Sequence, residues 1–501
     1  MRECQPHQKL PTIFSYQTKV LKSAILSRLL LLILILLWRT LLTPYDTSAP
    51  LNPTCLNHPS SSPPPPLLPS LGSAIENGVV WDSVYFLRIA QCGYEYEQSY
   101  AFLPLLPACI FILSRTVFAP LVSLIGDRAV LALSGYVICN VAFVLAAIYF
   151  YRLSAVVLKD PNAALRASVL FCFNPASIFY SSIYSESLYA LFSVGGLYYL
   201  ESRANNTALV WLALSGFARS NGVLNAGYYG FQTMHQAYDA AFMRKRALLA
   251  LQILLSGALR CMCIFVPFIT FQTYGYHNIC LGRSSDEMRP WCKARIPLLY
   301  NYIQSHYWGV GFLKYFQLKQ LPNFLLASPI LSLAVCSIIY YVKSRPEIVL
   351  SLGFQPSLEE KSSTVVIFSE DKSSNSPPIS EKYTSRRQEN HNIKLRKKMN
   401  QGGDPAECRI DHGSVEKLGY TSASILPYIL HLSFMVATAF FVMHVQVATR
   451  FLSASPSLYW FASLLMYSPS ISKTCGYMIW AYCSAYILLG SLLFSNFYPF
   501  T

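Results

Sequence analysis

WDSVYFLRIAQCGYEYEQSYAFLPLLP, residues 81–107, is the stretch that most constrains the fold. It places Asp82, Glu95 and Glu97 among aromatic side chains, directly before an apolar run. Carboxylates beside a bilayer are costly to desolvate, so a segment with only a structural role would tend to avoid them. The stretch therefore predicts a functional site at the membrane surface, although a juxtamembrane anchor with incidental acids is an alternative that the residues leave open.

The first part of this stretch is predicted to be helical. A helix that begins near Trp81 would hold Asp82 in its first turn, and Gly93 would end it. Glu95 and Glu97 would then follow in an irregular, aromatic loop. Because Trp and Tyr are enriched at headgroup level, the segment is expected to lie along the membrane interface with its carboxylates facing a cavity.

The composition is typical of a membrane protein. Hydrophobic residues make up 53% of the 501 residues and charged residues 13%, about half of the roughly 25% charge found in soluble globular chains. The formal net charge is +15. The basic residues lie at the ends of apolar segments and not in one dense stripe, which argues against nucleic-acid binding.

The apolar runs predict an all-α polytopic membrane protein with about ten transmembrane helices. The first run, from about residue 24 to 42, is long enough to span and lacks a small-residue cleavage site, so it is expected to remain as a helix with a cytoplasmic N-terminus. The later candidate spans are 103–120, 128–150, 163–180, 184–200, 207–230, 247–273, 322–342, 424–447 and 475–495.

Basic flanks orient these spans. The triplet at 244–246 precedes one run and Lys343 follows another, which marks both positions as cytoplasmic. Two spans and a polar loop at about 274–321 lie between them, so this loop is predicted on the luminal side together with Trp81. Its amphipathic, aromatic part, 290–324, is predicted to form interfacial helices.

One group of charges conflicts with this orientation. Arg152, Lys159 and Arg166 fall where the count of spans predicts the lumen. Either these residues break the positive-inside tendency, or the run at 163–180 forms a re-entrant pair with 184–200.

Polar segments divide the chain further. The Pro/Ser-rich segment is predicted to be flexible and to form neither a helix nor a sheet interior. The later polar insert mixes both signs of charge and has few aromatics, so it is predicted to be disordered. The predicted regions are the cytosolic N-terminus with the first transmembrane helix (1–42), the luminal Pro/Ser-rich segment (43–78), the main transmembrane catalytic region (79–342), the cytosolic insert (343–419) and the C-terminal transmembrane region (420–501).

Further polar groups lie in or beside apolar runs. Asn174 and Glu186 belong to a polar, aromatic patch that is either a helix break or the mouth of a site. Arg219 and Asn221 lie in an apolar segment, where the arginine would either bind an anion or extend toward the membrane surface. Arg450, at the end of a span, is likewise an interface anchor or a phosphate ligand.

Three other features are left open by the residues. His306, in the amphipathic loop, is a candidate for contact with a lipid-linked substrate. Cys280 and Cys292 share a polar loop and would pair if it faces an oxidising lumen. The sequon at 205–207 is predicted on the luminal side, although its closeness to the membrane argues against glycosylation. No spacing of cysteines indicates a zinc site.

Several long blocks carry a resemblance to a known family. They are WDSVYFLRIAQCGYEYEQSYAFLPLLP, FNPASIFYSSIYSESLYALF, FARSNG, PWCKARIPLLYNYIQSHYWGVGFLKYFQLKQLPNFLLASP and HVQVATRFLSASPSLYWF. In this order they resemble the PIG-V family of glycosylphosphatidylinositol (GPI) mannosyltransferases. The blocks run from about residue 79 to the C-terminus and leave out 343–419. That insert and the Pro-rich tract depart from the family pattern.

The resemblance implies a multi-pass GT-C-type glycosyltransferase of the endoplasmic reticulum membrane. Such an enzyme uses dolichyl-phosphate mannose and adds the second mannose, α1,6-linked, to the GPI precursor on the luminal face. The donor is β-linked and the product α-linked, so the reaction inverts and needs a general base. In GT-C enzymes this is typically an acid in the first luminal loop, where Asp82 lies.

The site is therefore predicted as follows. Asp82 would be the base, supported by Glu95 or Glu97, and Arg219 or Arg450 would hold the leaving phosphate. The predicted substrate contacts are Trp81, Asn174, Glu186, Arg219, Asn221, His306 and Arg450.

Two other classes of function compete with this interpretation. A lipid transporter or scramblase would show paired halves with broken helices in matching positions, and the sequence shows no such pairing. A non-catalytic subunit of the GPI pathway would be favoured if the acids were dispensable. No cofactor is certain, and no ligand spacing demands a divalent cation. The expected partners are the lipid-linked donor, the GPI precursor and an accessory membrane subunit.

Overall fold

The structure is a computed structural model that describes residues 13–45, 55–56, 65–282, 288–354, 419–467 and 472–498. These residues form helices and no strands, as predicted. The α-helices are α1 (Ile13–Leu41), α2 (Pro69–Glu76), α3 (Asp82–Cys92), α4 (Leu105–Arg115), α5 (Val122–Ile125), α6 (Asp127–Leu158), α7 (Pro161–Cys172), α8 (Ser177–Ser181), α9 (Glu186–Glu201), α10 (Asn205–Ala218), α11 (Ala226–Tyr238), α12 (Ala247–Cys280), α13 (Leu299–His306), α14 (Leu321–Ser344), α15 (Pro346–Leu350), α16 (Leu426–Phe441), α17 (Ala448–Leu452), α18 (Pro456–Tyr467) and α19 (Ser472–Ser495).

Among the described residues, six helical segments are each long and apolar enough to cross a membrane, or up to seven if a bent pair counts as one span. This confirms an all-α polytopic membrane protein. The six segments are Ser15–Leu41, Asp127–Leu158, Ala247–Cys280, Leu318–Ser344, Ala423–Phe441 and Thr474–Ser495.

The number of long helices is smaller than the predicted ten because several apolar runs are broken or form a short helix. The run 163–180 forms α7 and α8, the run 184–200 forms α9, and the run 207–230 forms α10 and α11. Asn174 makes the first break. Its side-chain amide donates to the Phe171 carbonyl, and its oxygen accepts from the Ala176 amide, both at 2.8 Å. Hydropathy alone does not distinguish one long helix from two short ones.

A buried arginine in α1 stabilises the same break. Arg28 is 3% exposed, and its guanidinium donates to the carbonyls of Cys172 and Ser177 and to the Ser181 hydroxyl. It also lies 3.8 Å from the centre of the Phe143 ring. Helix ends leave carbonyls without intrahelical partners, so Arg28 satisfies groups that the break between α7 and α8 exposes.

Arg28→Met is therefore expected to destabilise the protein. Each carbonyl left unpaired in the interior costs about 1–3 kcal/mol, so the purified variant should melt at a lower temperature than the wild type. Lys22→Ala, which changes an exposed residue on the same helix, is the matched control and should leave the melting temperature unchanged. Equal melting of Arg28→Met and the control would contradict this role.

Contacts along α1 define two ends of the helical bundle. At the first, called the Tyr16 end, the Tyr16 hydroxyl donates to the Asn162 side chain at 2.8 Å. At the second, the Trp38 indole donates to Ser491 at 3.0 Å. The Trp81 indole donates to the nearby Phe494 carbonyl at 3.2 Å. This second end therefore carries the start of α3 and is called the Asp82 end.

The pair of helices α4 and α5 does not cross the bundle. The segment Leu105–Arg115 and the segment Ala119–Ile125 are bent by 71°. Before the pair, Phe102 packs on Phe86 of α3. After it, the backbone from residue 123 accepts hydrogen bonds from Leu67 and Leu68. Both ends of the pair thus lie at the Asp82 end, which favours a re-entrant pair over the span predicted at 103–120.

This arrangement resolves the conflict over the basic residues. Since α4 and α5 return, α6 runs from the Asp82 end to the Tyr16 end, where Tyr151 packs on Tyr16. Arg152, Lys159 and Arg166 therefore lie at the same end as the N-terminus of α1. These residues thus share the end predicted to be cytoplasmic, which removes the conflict with the positive-inside tendency.

The same topology moves the sequon to the other end. Glu201, at the end of α9, accepts a hydrogen bond from the Tyr428 hydroxyl at 2.9 Å. The segment just before Tyr428 contacts α14, since the Tyr341 hydroxyl donates to the Ser422 carbonyl. Tyr428 also packs on Trp460, whose indole donates to Ser154 close to Tyr151 in α6, so this is the Tyr16 end. Asn205 therefore lies at the opposite end of the bundle from Asp82, whereas the sequence predicts both residues on the luminal side.

Asn205 is accordingly expected to carry no N-glycan. Treatment of the expressed protein with an N-glycosidase should leave its electrophoretic mobility unchanged. A sequon built at the Asp82 end, by Arg295→Asn with Pro297→Thr in an exposed loop, is the positive control and should be modified. A glycan on Asn205 would contradict the orientation.

Two disulfides lie at the Asp82 end. Cys280 and Cys292 are bonded, which decides the alternative that the sequence left open. Cys55 and Cys92 form a second, unpredicted bond that ties the Pro/Ser-rich segment to the end of α3. Disulfides persist in oxidising compartments, so this end is the one suited to a lumen.

The Pro/Ser-rich segment also contains a helix, contrary to prediction. Helix α2 begins at Pro69, where proline is tolerated because the first helical amide needs no partner. The remainder of α2 contains no proline. Much of the rest of 43–78 lies outside the described residues, as does most of the insert predicted at 343–419.

Candidate active site

Helix α3 begins at Asp82, and two long-range hydrogen bonds position its first turn. The Asp82 amide donates to the Tyr184 hydroxyl at 3.0 Å, and the Trp81 indole donates to the Phe494 carbonyl. Trp81 has a φ of 53°, a strained value for a residue with a bulky side chain. The first turn of α3 is therefore held against the α8–α9 connection, which fixes the position from which the Asp82 side chain extends.

Four charged residues meet at this point. Arg450 contacts Asp82 with Nη1 to Oδ2 at 3.1 Å, and its Nε lies 4.0 Å from Oε1 of Glu186. Arg219 forms an ion pair with the same Glu186 oxygen. We call Asp82, Glu186, Arg219 and Arg450 the charge cluster. Its two acids and two bases leave no net charge, which lowers the cost of burying them.

The two carboxylates of the charge cluster differ in access. The Glu186 side chain is 3% exposed and lies between both arginines. The Asp82 side chain is 34% exposed and contacts one of them. Glu186 is thus suited to hold the guanidinium groups together, whereas Asp82 is the carboxylate of the cluster that a substrate can reach.

Aromatic rings surround the Arg450 guanidinium. Its carbon lies 5.3 Å from the centre of the Phe179 ring and 5.7 Å from that of Tyr184. Arginine is favoured at such sites because its planar cation stacks on rings and recognises phosphate with two parallel hydrogen bonds. The surroundings fix Arg450 while its pairing with carboxylates keeps it charged.

Arg219 and Asn221 lie at the break between α10 and α11. The neighbouring Ser220 hydroxyl donates to the Tyr300 hydroxyl at 2.7 Å, and the Tyr300 amide donates to Gln272 at 2.8 Å. Asn221 is 9% exposed, and within the described part of the chain neither polar atom of its amide has a hydrogen-bond partner. Buried polar groups are normally paired, so Asn221 is suited to bind a substrate.

An apolar groove begins next to Asn221. It has a volume of about 350 Å³ and lies between α11, α12 and α16, with Val223 and Leu224 at one end. The exposed side chains of Phe265 and Phe434 open it to the outer surface of the bundle. The groove therefore begins two residues after Asn221 in the chain and opens to the surface that would face lipid.

Glu95 and Glu97 lie outside the charge cluster and hold loops together. Glu95 forms an ion pair with Arg88 and accepts from the Leu56 amide, both at 2.6 Å. Glu97 accepts from the Trp291 indole and the Tyr307 hydroxyl, both at 2.7 Å. Because these contacts join segments that are distant in sequence, they order the loops to which Glu95 and Glu97 belong.

The remaining predicted contacts are separate from the charge cluster. The Asn174 side chain is buried and bonded to backbone at the helix break. The His306 ring stacks on Tyr302 at 4.9 Å between ring centres. Trp81 is 38% exposed, packs near Phe497 and lies directly before Asp82.

One group of side chains has the composition of a metal site. Cys55, Cys92 and Glu95 lie within 4.8 Å of one another. The two sulfur atoms are bonded to each other, so they do not offer the thiolates that a metal would need. In the described ranges this group is therefore a disulfide beside a carboxylate.

The chain is similar to known mannosyltransferases. A family model described as "Mannosyltransferase (PIG-V)" matches residues 17–501. GPI alpha-1,6-mannosyltransferase 2 of Homo sapiens is 30% identical over 409 residues, 77% of this chain and 72% of that protein. The Rattus norvegicus protein of the same name is 29% identical over 90% of this chain and 84% of its own length. GPI mannosyltransferase 2 of Drosophila melanogaster is 29% identical over 84% and 86%. No solved structure gives a significant match.

Proposed function

Because the chain belongs to the PIG-V family of mannosyltransferases, we propose that it transfers the second mannose, in α1,6 linkage, from dolichyl-phosphate mannose to the GPI precursor. The observation that carries this proposal is the charge cluster, in which the accessible carboxylate of Asp82 contacts Arg450, and Glu186 links Arg450 to Arg219. An inverting transfer needs a base on one side of the anomeric carbon and stabilisation of the leaving anion on the other.

Asp82 is the proposed base. The 6-hydroxyl oxygen of the acceptor mannose attacks the anomeric carbon of the donor, and the proton of that hydroxyl passes to Asp82. The bond between the anomeric carbon and the phosphate oxygen breaks, and its electron pair leaves with dolichyl phosphate. The contact with Arg450 orients the Asp82 carboxylate that accepts this proton.

Arg219 and Arg450 are the proposed ligands of the leaving phosphate. Their guanidinium groups are held near each other by Glu186, so they would not need to rearrange as negative charge develops on the phosphate oxygen. Asn221, with its unpartnered amide, would add a hydrogen bond to the same lipid-linked substrate. The apolar groove beside it would take the polyprenyl chain.

The other predicted contacts have supporting roles in this proposal. Glu95 and Glu97 order the loops around α3 and so position Asp82. Trp81 fixes the start of α3, and Asn174 fixes the break that brings Glu186 to the site. His306, at the edge of the bundle, would contact the headgroup region of a bound lipid. An accessory membrane subunit stays a prediction.

We place the Asp82 end in the lumen of the endoplasmic reticulum. Both disulfides between described cysteines lie at that end, whereas the basic residues 152–166 lie at the Tyr16 end. An oxidising compartment on one side and the positive-inside tendency on the other support the same orientation.

The proposal is tested in microsomes from cells that lack the endogenous enzyme and express this chain. With labelled dolichyl-phosphate mannose, the one-mannose GPI intermediate should be converted to the two-mannose form. Microsomes without the chain are the control. Persistence of the one-mannose form would reject the proposed transfer and favour a transporter or a non-catalytic subunit.

A further inference from the structure

A second cavity lies one helical turn from Asp82. It has a volume of about 140 Å³ and is bounded by Tyr85, Arg88, Tyr96 and Ser99. Tyr85 follows Asp82 by three residues, and residues at this spacing share a face of a helix. Pockets for drug-sized ligands have volumes of roughly 300–1,000 Å³, so this cavity suits a single sugar ring.

The walls of this cavity combine aromatic rings with a neutralised ion pair. Arg88 and Glu95 form the pair, with side chains 13% and 3% exposed, and the Arg88 guanidinium lies 5.3 Å from the centre of the Tyr96 ring. Burial raises the pKa of Tyr85, and the Asp82 charge raises it further, so its hydroxyl stays neutral. Aromatic faces and a few fixed polar groups match the C–H face and the hydroxyls of a neutral sugar.

The Cys55–Cys92 disulfide lies behind one wall of this cavity, the wall that contains Glu95. It places Leu56 against Glu95, whose oxygen accepts from the Leu56 amide at 2.6 Å. Cys92 is the last residue of α3, and Glu95 lines the cavity. The Pro/Ser-rich segment is thereby fastened to the cavity wall, although it lies outside the blocks that resemble the family.

We propose that this cavity, called the acceptor pocket, binds the mannose ring whose hydroxyl Asp82 deprotonates, and that the Cys55–Cys92 disulfide holds its wall in place. The proposal rests on the proposed function, since it assigns a subsite to the acceptor. The ring would lie against Tyr85 and Tyr96, one turn from the carboxylate. The donor, bound at the arginines of the charge cluster, would approach from the other side of Asp82.

Binding of the soluble acceptor glycan, mannosyl-glucosaminyl-inositol, to the purified protein tests the pocket without requiring transfer. Tyr96→Ala is expected to weaken binding about tenfold, which corresponds to about 1.4 kcal/mol. Tyr45→Ala is the matched control, because Tyr45 is an exposed ring at the same end of the bundle. Equal affinity of the two variants would overturn the pocket.

Transfer kinetics provide a second readout. Tyr96→Ala should raise the KM for the acceptor about tenfold and leave the KM for the donor and the melting temperature unchanged. The double variant Cys55→Ser with Cys92→Ser should raise the acceptor KM in the same direction. An unchanged acceptor KM in the double variant would overturn the role of the disulfide.

The outcomes separate the two proposals. If the wild-type protein binds the glycan through Tyr96 but transfers no mannose, the proposed function fails and the pocket stands. If it transfers mannose while Tyr96→Ala keeps full acceptor affinity, the pocket fails and the proposed function stands.

Discussion

Asp82→Asn is expected to lower kcat for mannose transfer by about 10²–10⁴-fold, the usual contribution of a positioned general base. The amide nearly preserves the size of the side chain but does not accept the proton of the attacking hydroxyl. Because the backbone contacts of Asp82 with Tyr184 do not involve the carboxylate, the helix should begin at the same residue. The rate is measured in microsomes with labelled donor and normalised to the amount of folded protein.

Asp127→Asn is the matched control for this substitution. Asp127 also begins a helix at the Asp82 end, and it is partly buried. Its replacement should leave the rate within about twofold of wild type, since surface changes away from such sites usually have small effects. The variant is also expressed in cells that lack the enzyme. If Asp82→Asn restored surface GPI-anchored proteins to wild-type levels there, the assignment of Asp82 as the base would be wrong.

Arg450→Gln and Arg219→Gln are each expected to lower kcat by about 10²–10³-fold, as loss of one donor to a developing anion does. Each substitution also leaves Glu186 with one guanidinium instead of two. A buried, less compensated carboxylate is destabilising, so the melting temperature is measured alongside the rate. The loss of activity should persist at temperatures where the variants are fully folded.

Product inhibition distinguishes a phosphate ligand from a structural cation. Dolichyl phosphate should inhibit the wild-type enzyme and should inhibit both arginine variants more weakly. Arg244→Gln is the control, because Arg244 forms an exposed ion pair with Asp239 that is separate from the charge cluster. If the same concentration of dolichyl phosphate inhibited the wild-type enzyme and both arginine variants equally, neither arginine would be a ligand of the phosphate.

Local features were predictable because they depend on neighbours in sequence. A helix beginning near Trp81 and ending at Gly93 was predicted, and α3 spans Asp82–Cys92. The break at Asn174 was one of two stated alternatives, and the structure contains it. Both depend on backbone preferences of Gly and Pro that act within a few residues.

The ion pairs within the charge cluster were not predicted. The resemblance led to one predicted site with Asp82, Glu186, Arg219 and Arg450, but not to their direct contacts, because 368 residues separate Asp82 from Arg450. An arginine in an apolar segment indicates that it has a charged or polar partner but does not identify that partner. Which distant residues form ion pairs depends on which short helices pack against one another, and hydropathy does not predict that packing.

The topology predicted for the region before α6 differs from the structure for a related reason. The run at 103–120 is as apolar as a span, yet α4 and α5 turn back between the Asp82 end and α6. The predicted number of spans before α6 could have been corrected from Arg152, Lys159 and Arg166, since basic residues favour the cytoplasmic side. The Cys55–Cys92 bond had no such signal, because cysteine spacing alone does not determine connectivity.

An experimental structure of the protein with bound dolichyl-phosphate mannose tests the central claim most directly. The phosphate is predicted within hydrogen-bond distance of Arg219 and Arg450, with the polyprenyl chain in the groove between α11, α12 and α16 and the sugar facing Asp82. A phosphate bound away from both arginines, with Asp82 remote from the anomeric carbon, would contradict the account.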